Sequence, residues 1–294
     1  MTYEEFVLRI REQVAERVPG STTVIIQKET KNNGTRRTGL TLKEPGVNIA
    51  PTIFLEEFYQ RFSLGVSEER LVKEVVDLYG KLRFEQPCEV ECLKHFATVK
   101  DRIVYRLVDQ KANEEMLKDL PNRPFLDLAV VYYVVLEAGE HGMASVMIRK
   151  EHMAVWDVSE EMLYRCACRN TRRIFPEEFA TMQAVIRDLT GQREEKPEPV
   201  DVMYVLTNQL RSHGAACILY DGCLERIARE LSAGFFVLPS SVHEVIIIPE
   251  GRGFSYEGLS EMVKEINETQ VDPEEVLSDH AYFYDMVRRE LTCF

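Results

Sequence analysis

Five consecutive residues, Ser240-Ser241-Val242-His243-Glu244, place two hydroxyls, an imidazole and a carboxylate between two apolar runs. These residue types can act as a nucleophile, a general base and the group that orients the base. Their spacing is poor for that role, because on an extended segment Ser241 and His243 share one face while Glu244 points to the other. The orienting carboxylate would then have to come from elsewhere in the chain, such as Asp279.

The same five residues also suit a turn between two strands. Serine hydroxyls bond backbone groups in turns, and a buried imidazole needs a partner for each nitrogen. In this interpretation His243 joins the turn to a distant segment, which we expect to be Asn208 or residues 278–280. No GxSxG motif supports a nucleophilic serine, so the catalytic residues stay unassigned. The candidate ligand-binding or structural polar site comprises Asn208, Ser240, Ser241, His243, Glu244, Asp279 and His280.

Neither the histidines nor the cysteines have the spacing of a metal site. The chain contains no HxH, HExxH or CxxC motif, and its cysteines number seven, which is odd. A secreted disulfide framework or a zinc ribbon would show a different pattern. The phosphate-binding motifs GxxxxGK[ST] and GxGxxG are also missing from the sequence. We therefore expect no metal, no cofactor and seven reduced thiols.

The composition indicates a cytoplasmic protein. The net charge of −13 argues against broad contact with nucleic-acid phosphates. No apolar run approaches the ~20 residues that cross a bilayer, and the N-terminus lacks the apolar core of a signal peptide. Arginines recur at helical spacing in one segment, where we expect a solvated face paired with nearby glutamates: Arg165, Arg169, Arg172 and Arg173. The candidate partner is another protein, and the sequence does not predict an oligomeric state.

The helices and strands predicted around the polar site indicate an α+β fold, with mixed or antiparallel sheets covered by helices. Residues 2–18 are expected to form an N-terminal helix that begins at a Thr2–Glu5 capping box. A β-hairpin follows it, because Asn33-Gly34 favours a turn with positive φ. Apolar patterning predicts further helices at 48–62, 66–82, 176–189, 223–231 and 258–267, and strands at 102–108, 125–136, 144–148, 203–207, 215–220, 235–238, 245–248 and 281–284.

A polar segment with two prolines, residues 191–199, has the composition of a linker. It predicts an N-terminal α+β region at 1–190 and a C-terminal α+β region at 200–294. The alternative is that 191–199 is a long loop within one continuous unit.

Three segments together resemble an uncharacterised bacterial family. They are NIAPTIFLEEFY at 48–59, YVLTN with GAA at 204–208 and 214–216, and LPSSVHEVIIIP at 238–249. That family is a domain of unknown function found mostly in anaerobic, gut-type bacteria, and the resemblance covers nearly the whole chain. It implies a cytoplasmic bacterial origin and one shared architecture, and the family offers no established activity, substrate or cofactor to carry over to this chain. We expect a non-enzymatic binding or regulatory protein; the alternative is a hydrolase-type enzyme with a site around His243.

Overall fold

A computed structural model describes residues 1–47, 50–83, 93–139, 142–191, 203–251 and 253–293. At 137–139 and 142–143 only the backbone is described. The chain divides into two compact units: Met1–His95 with Ala138–Met143, and Phe96–Glu137 with Ala144–Phe294. Residues 192–202 lie outside the described residues, so the boundary expected at 191–199 stays a prediction.

The first unit follows the order that the sequence predicts. Thr2 and Glu5 form the expected capping box, which satisfies backbone N–H groups at the start of the first helix. A hairpin follows, in which Asn33 and Gly34 both have positive φ. Its elements are α1 (Tyr3–Arg17), β1 (Thr23–Thr30), β2 (Arg36–Lys43), β3 (Thr52–Phe54), α2 (Glu56–Ser63) and α3 (Glu68–Leu82), and the sheet order is β1-β2-β3. The buried core includes Phe6 and Ile10 of α1, Leu40 of β2 and Leu71 of α3.

The helix expected at 48–62 is partly wrong. It begins only at Glu56, and β3 precedes it, antiparallel to β2 with Ile53 opposite Leu40. Thr52 and Ile53 are β-branched and suit a strand. The backbone pairing with β2, which no local pattern reveals, decides the outcome.

The second unit contains a four-stranded antiparallel sheet around the long strand β6. Both β4 and β5 pair with β6, and β7 also pairs with it. This confirms the predicted strands at 102–108 and 144–148. The strand expected at 125–136 begins only at Leu128, because residues 126–127 form a turn that follows β5. The elements of this part are α4 (Phe96–Val99), β4 (Ile103–Asp109), α5 (Glu114–Leu117), β5 (Asn122–Phe125), β6 (Leu128–Gly139), β7 (Gly142–Met147), α6 (Lys150–Trp156) and α7 (Glu160–Ile174).

A six-stranded antiparallel sheet carries the polar residues 240–244 in one of its loops. Its order is β13-β12-β10-β11-β9-β8, so the predicted pair at 235–249 lies in the middle. The inward residues of that pair, such as Val237 and Ile247, are fully buried. The elements are β8 (Glu177–Thr181), α8 (Met182–Thr190), β9 (Tyr204–Asn208), β10 (Phe235–Leu238), β11 (Val245–Pro249), β12 (Tyr282–Asp285) and β13 (Glu290–Cys293), with α9 (Cys223–Leu231) and α10 (Tyr256–Thr269) between strands.

Two predictions in this unit are wrong. The helix expected at 176–189 is a strand, β8, followed by α8, because residues 177–181 pair with β9. The strand expected at 215–220 is a 3-10 helix, Gly214–Leu219. It packs closely against β9 at its first residue, Gly214, where an added Cβ would clash with Thr207 and Asn208. In the described ranges no helix is long and apolar enough to cross a bilayer.

Candidate functional site

The loop that joins β10 to β11, residues 239–244, lies beside a second loop, which precedes β12. The backbone N–H of Val242 donates to the carbonyl of Glu275 at 2.8 Å, and the N–H of Leu277 donates to the carbonyl of Ser240 at 3.1 Å. These bonds hold the two loops side by side. The candidate residues 240–244 and 278–280 therefore belong to neighbouring segments.

Both imidazole nitrogens of His243 contact the protein. Nδ1 accepts the backbone N–H of His213 at 3.3 Å, and Nε2 lies 3.3 Å from Oε1 of Glu275. Since Nδ1 is an acceptor, a neutral ring carries its proton on Nε2, the nitrogen nearer the carboxylate. The partners differ from the Asn208 or 278–280 segment that we expected.

His213 is the second histidine at this site. Its backbone is left-handed, with φ of 52°, and its ring centroid lies 5.4 Å from that of His243. Burial lowers the pKa of His213 well below its usual value, and the nearby charges of Arg106 and His243 act in the same direction. His213 is therefore a neutral ring at ordinary pH. Its position in Ser-His-Gly gives no sequence signal for this contact.

The serines of the loop do not form a nucleophile–base pair with His243. The Ser241 hydroxyl accepts the backbone N–H of His243 at 3.0 Å, which is a turn contact and not a bond to the imidazole. Glu244 is partly buried, and burial raises the pKa of its carboxyl, with the charge of Glu275 adding to the effect. The local arrangement supports the turn interpretation of residues 240–244.

Asn208 builds the loop that carries His213. Its amide nitrogen donates to the Ser212 carbonyl at 2.8 Å, and its amide oxygen accepts the N–H groups of Leu210 and Ser212 at 3.1 and 3.3 Å. Such Asx-type bonding fixes a tight turn. Asn208 thus positions His213 through the backbone, although its own side chain bonds within the loop.

Gly214 allows β9 and the His243 loop to approach closely. An added Cβ at this position would lie 2.2 Å from Oγ1 of Thr207 and 2.6 Å from the carbonyl oxygen of His243. The same Thr207 hydroxyl donates to that carbonyl at 2.7 Å. Glycine is therefore required here by a contact between backbones.

Residues 278–280 form a second junction, at Asp127 in the β5–β6 turn. The Ser278 hydroxyl donates to Oδ2 of Asp127 at 2.6 Å, and the Tyr282 hydroxyl donates to the other oxygen. Ser278 also accepts the backbone N–H of His280 at 2.9 Å. Asp279 accepts a bond from Asn267 at 2.8 Å. The two junctions share one loop but different side chains.

A cleft of about 340 Å³ opens beside Asp127. Gln110, Lys111, Glu114 and Asp127 line it. Burial raises the pKa of the neighbouring carboxyl of Asp109, and the charges of Asp127 and Asp279 act in the same direction. Within the described part of the chain, no group of three or more histidine, cysteine, aspartate or glutamate side chains is arranged to hold a metal ion. The cleft thus offers one ammonium, two carboxylates and an amide.

The arginine-rich face of α7 bonds largely within the protein. Arg165 lies 2.9 Å from Glu161, and Arg172 lies 2.6 Å from Glu177. Arg173 donates to the carbonyl of Asp101 at 2.6 Å. This supports the expectation of a solvated face paired with nearby glutamates.

The fold and the two polar junctions define an α+β protein with antiparallel sheets whose loops converge on His243 and Asp127. The chain belongs to a family of unknown function, DUF5688, whose family model matches residues 3–286. That span confirms the resemblance over nearly the whole chain. No curated protein and no solved structure matches the chain.

Proposed function

We propose that this protein is a non-enzymatic cytoplasmic binding protein whose ligand enters the cleft beside Asp127. The observation that carries the proposal is the lining of that cleft, which combines Lys111 with two acidic residues, Glu114 and Asp127. A ligand that carries both an ammonium and a carboxylate is complementary to such a lining. A free amino acid is the simplest ligand of this class.

The carboxylate of Asp127 is held in place before any ligand arrives. Hydroxyls of Ser278 and Tyr282 bond its two oxygens from a segment about 150 residues away in the chain, as the separations of 151 and 155 residues show. A rigid acceptor loses little conformational entropy on binding, which favours affinity and selectivity. Each carboxylate oxygen has a second lone pair with which to accept from an ammonium.

The geometry at His243 speaks against the alternative, a hydrolase. A general base needs a nitrogen lone pair that can reach the proton of the nucleophile. In His243 the lone pair on Nδ1 accepts the backbone N–H of His213, and Nε2 lies 3.3 Å from the carboxylate of Glu275. The contacts of His243 therefore support a structural role.

Calorimetric titration with the twenty free amino acids tests the proposal. At least one should bind, and at 100 times its Kd it should raise the free energy of unfolding by about 2.7 kcal/mol. The amide and the N-acetyl form of that amino acid each lose one charge and should bind at least tenfold more weakly.

Two lysine variants provide the matched comparison. Lys111→Gln should abolish binding, whereas Lys118→Gln, on the exposed residue that pairs with Glu115, should leave it unchanged. Failure of all twenty amino acids to bind at 10 mM, on the order of the weakest specific affinities, would overturn the proposal. Hydrolysis of an ester or amide that disappears in a folded His243→Ala variant would instead establish the enzyme.

A further inference from the structure

The outer edge of β8 is unpaired in the part of the chain that the structure describes. This strand ends the six-stranded sheet, and β9 is its one partner among the described strands. The N–H of Gln209 donates to the carbonyl of Pro176, and the N–H of Met182 donates to the carbonyl of Met203. Because hydrogen-bonded positions alternate along an antiparallel pair, the backbone groups of Phe179 point away from β9. Those of Glu177 and Thr181 point the same way.

The sequence of this edge is complementary to itself. In an antiparallel pair of two β8 strands centred on Phe179, each Phe179 lies opposite its equivalent. Glu177 then lies opposite Thr181, and Glu178 opposite Ala180, so no like charges meet. In such a pair the two Phe179 residues would exchange two backbone hydrogen bonds, and each Thr181 N–H would face the carbonyl of a Glu177.

The glutamates of this strand do not protect the edge. Exposed charge and inward-pointing lysines normally prevent edge strands from pairing. Here Glu177 is paired with Arg172 at 2.6 Å and Glu178 with Arg211 at 3.1 Å, so each charge is partly balanced within the chain. Phe179 is partly buried and stacks on Tyr204, with ring centroids 5.1 Å apart. The strand thus presents an aromatic, uncharged centre.

The helix after the strand has apolar surface that a partner would cover. None of the residues of α8 is buried, and Ile186 and Leu189 are 50% and 71% exposed. Since α8 begins at the residue after β8, a chain that pairs with this edge would come close to the start of the helix. Removal of these side chains from water would stabilise the association.

We propose that two copies of this chain form a dimer by antiparallel pairing of their β8 edges, with the two-fold axis at Phe179. The two-fold axis makes every contact occur twice, as in other isologous interfaces. The dimer does not depend on a ligand in the Asp127 cleft, so it can be tested separately.

A pair of charge variants at Ala180 tests the dimer. The Ala180–Glu178 pairs would lie at non-hydrogen-bonded positions, where facing Cα atoms are only about 4.5 Å apart. Ala180→Glu should raise the dimer Kd at least tenfold, because it creates two glutamate pairs. Ala180→Lys should lower the Kd, because it creates two lysine–glutamate pairs. Sedimentation velocity at 1–100 μM, on the order of the affinities of ordinary dimers, measures both shifts.

The control is Lys264→Glu, on an exposed position of α10, which should leave the dimer Kd unchanged. Circular dichroism of each variant checks that the fold is intact. A wild-type chain that stays monomeric throughout the concentration range overturns the proposal. Equal shifts in the Ala180→Glu and Ala180→Lys variants would place the interface elsewhere and would overturn it as well.

Discussion

His243 Nε2 lies 3.3 Å from Glu275 Oε1, and this contact joins the loop before β11 to the loop before β12. The second nitrogen of the same ring accepts the N–H of His213, so one imidazole connects three segments. Glu275 is partly exposed, so its electrostatic contribution is screened by water. The hydrogen bond to the His213 backbone is the contact whose loss should cost more.

Replacement of His243 should therefore destabilise the protein. His243→Ala leaves the His213 N–H without its acceptor, and we expect a loss of about 1–3 kcal/mol in the free energy of unfolding. Urea unfolding measures it. The control is His280→Ala, since the bond of His280 to Ser278 uses the backbone N–H. An His243→Ala loss no larger than that of the control would contradict the structural role.

Replacement by alanine should have opposite effects on the stability of the protein at Gly214 and at Gly80. At Gly214 the added Cβ meets the Asn208 backbone nitrogen at 2.6 Å, so the strand and the loop must separate, at a cost of about 3 kcal/mol or more. At Gly80, in α3, nothing lies within 4 Å of the added Cβ. Gly80→Ala should stabilise the protein by about 0.5–1 kcal/mol. Thermal unfolding of both variants checks the pair, and a tolerated Gly214→Ala would refute the close contact.

The lowered pKa of His213 predicts a loss of stability in mild acid. Above pH 6.5, the usual pKa, the ring is neutral in both the folded and the unfolded chain, so stability is fully present. As the pH falls below 6.5, only the unfolded chain takes up the proton, and stability declines by up to about 1.4 kcal/mol per pH unit. Unfolding in urea between pH 7 and pH 5 measures this slope.

The matched variant is His213→Asn, because asparagine tolerates the left-handed backbone of this position. Its stability should depend less on pH in the same range, whatever its absolute value. A wild-type slope that His213→Asn leaves unaltered would assign the acid sensitivity to other groups.

Gly34 closes the first hairpin with φ of 70°. A β-branched residue adopts this conformation poorly, so Gly34→Val should cost about 1–2 kcal/mol. Gly20→Val is the control, because Gly20 lacks a positive φ and an added Cβ there also meets open space. If denaturant unfolding gives equal losses for the two variants, the turn conformation is not the cause.

Local signals predicted the elements whose ends carry caps or turns. The capping box at Thr2 and the Asn33-Gly34 turn each specify structure within four residues. By contrast, the residues of β3 and β8 were predicted to be helical. Pairing with a neighbouring strand determines their structure, and no local pattern reveals such a pairing. The polar residues 240–244 were located correctly between their two strands.

For the same reason, the contacts of residues 240–244 could not be predicted from the sequence. Glu275 lies in a segment with no hydrophobic periodicity, and Asp127 lies in a short turn. No sequence pattern therefore marks either residue as a contact. Each reaches its partner through the order of strands in the sheet. The histidine could be singled out from its neighbours, but its partners could not.

The bond between Asp127 and Tyr282 spans 155 residues and has a consequence for the timing of synthesis. At roughly 5–20 residues per second, a ribosome adds Tyr282 about 8–31 s after Asp127. Until Ser278 is added, shortly before Tyr282, the nascent chain has the aspartate without either hydroxyl that orients it. The cleft is thus completed late in translation, and a ligand that requires it cannot help the earlier part of the chain to fold.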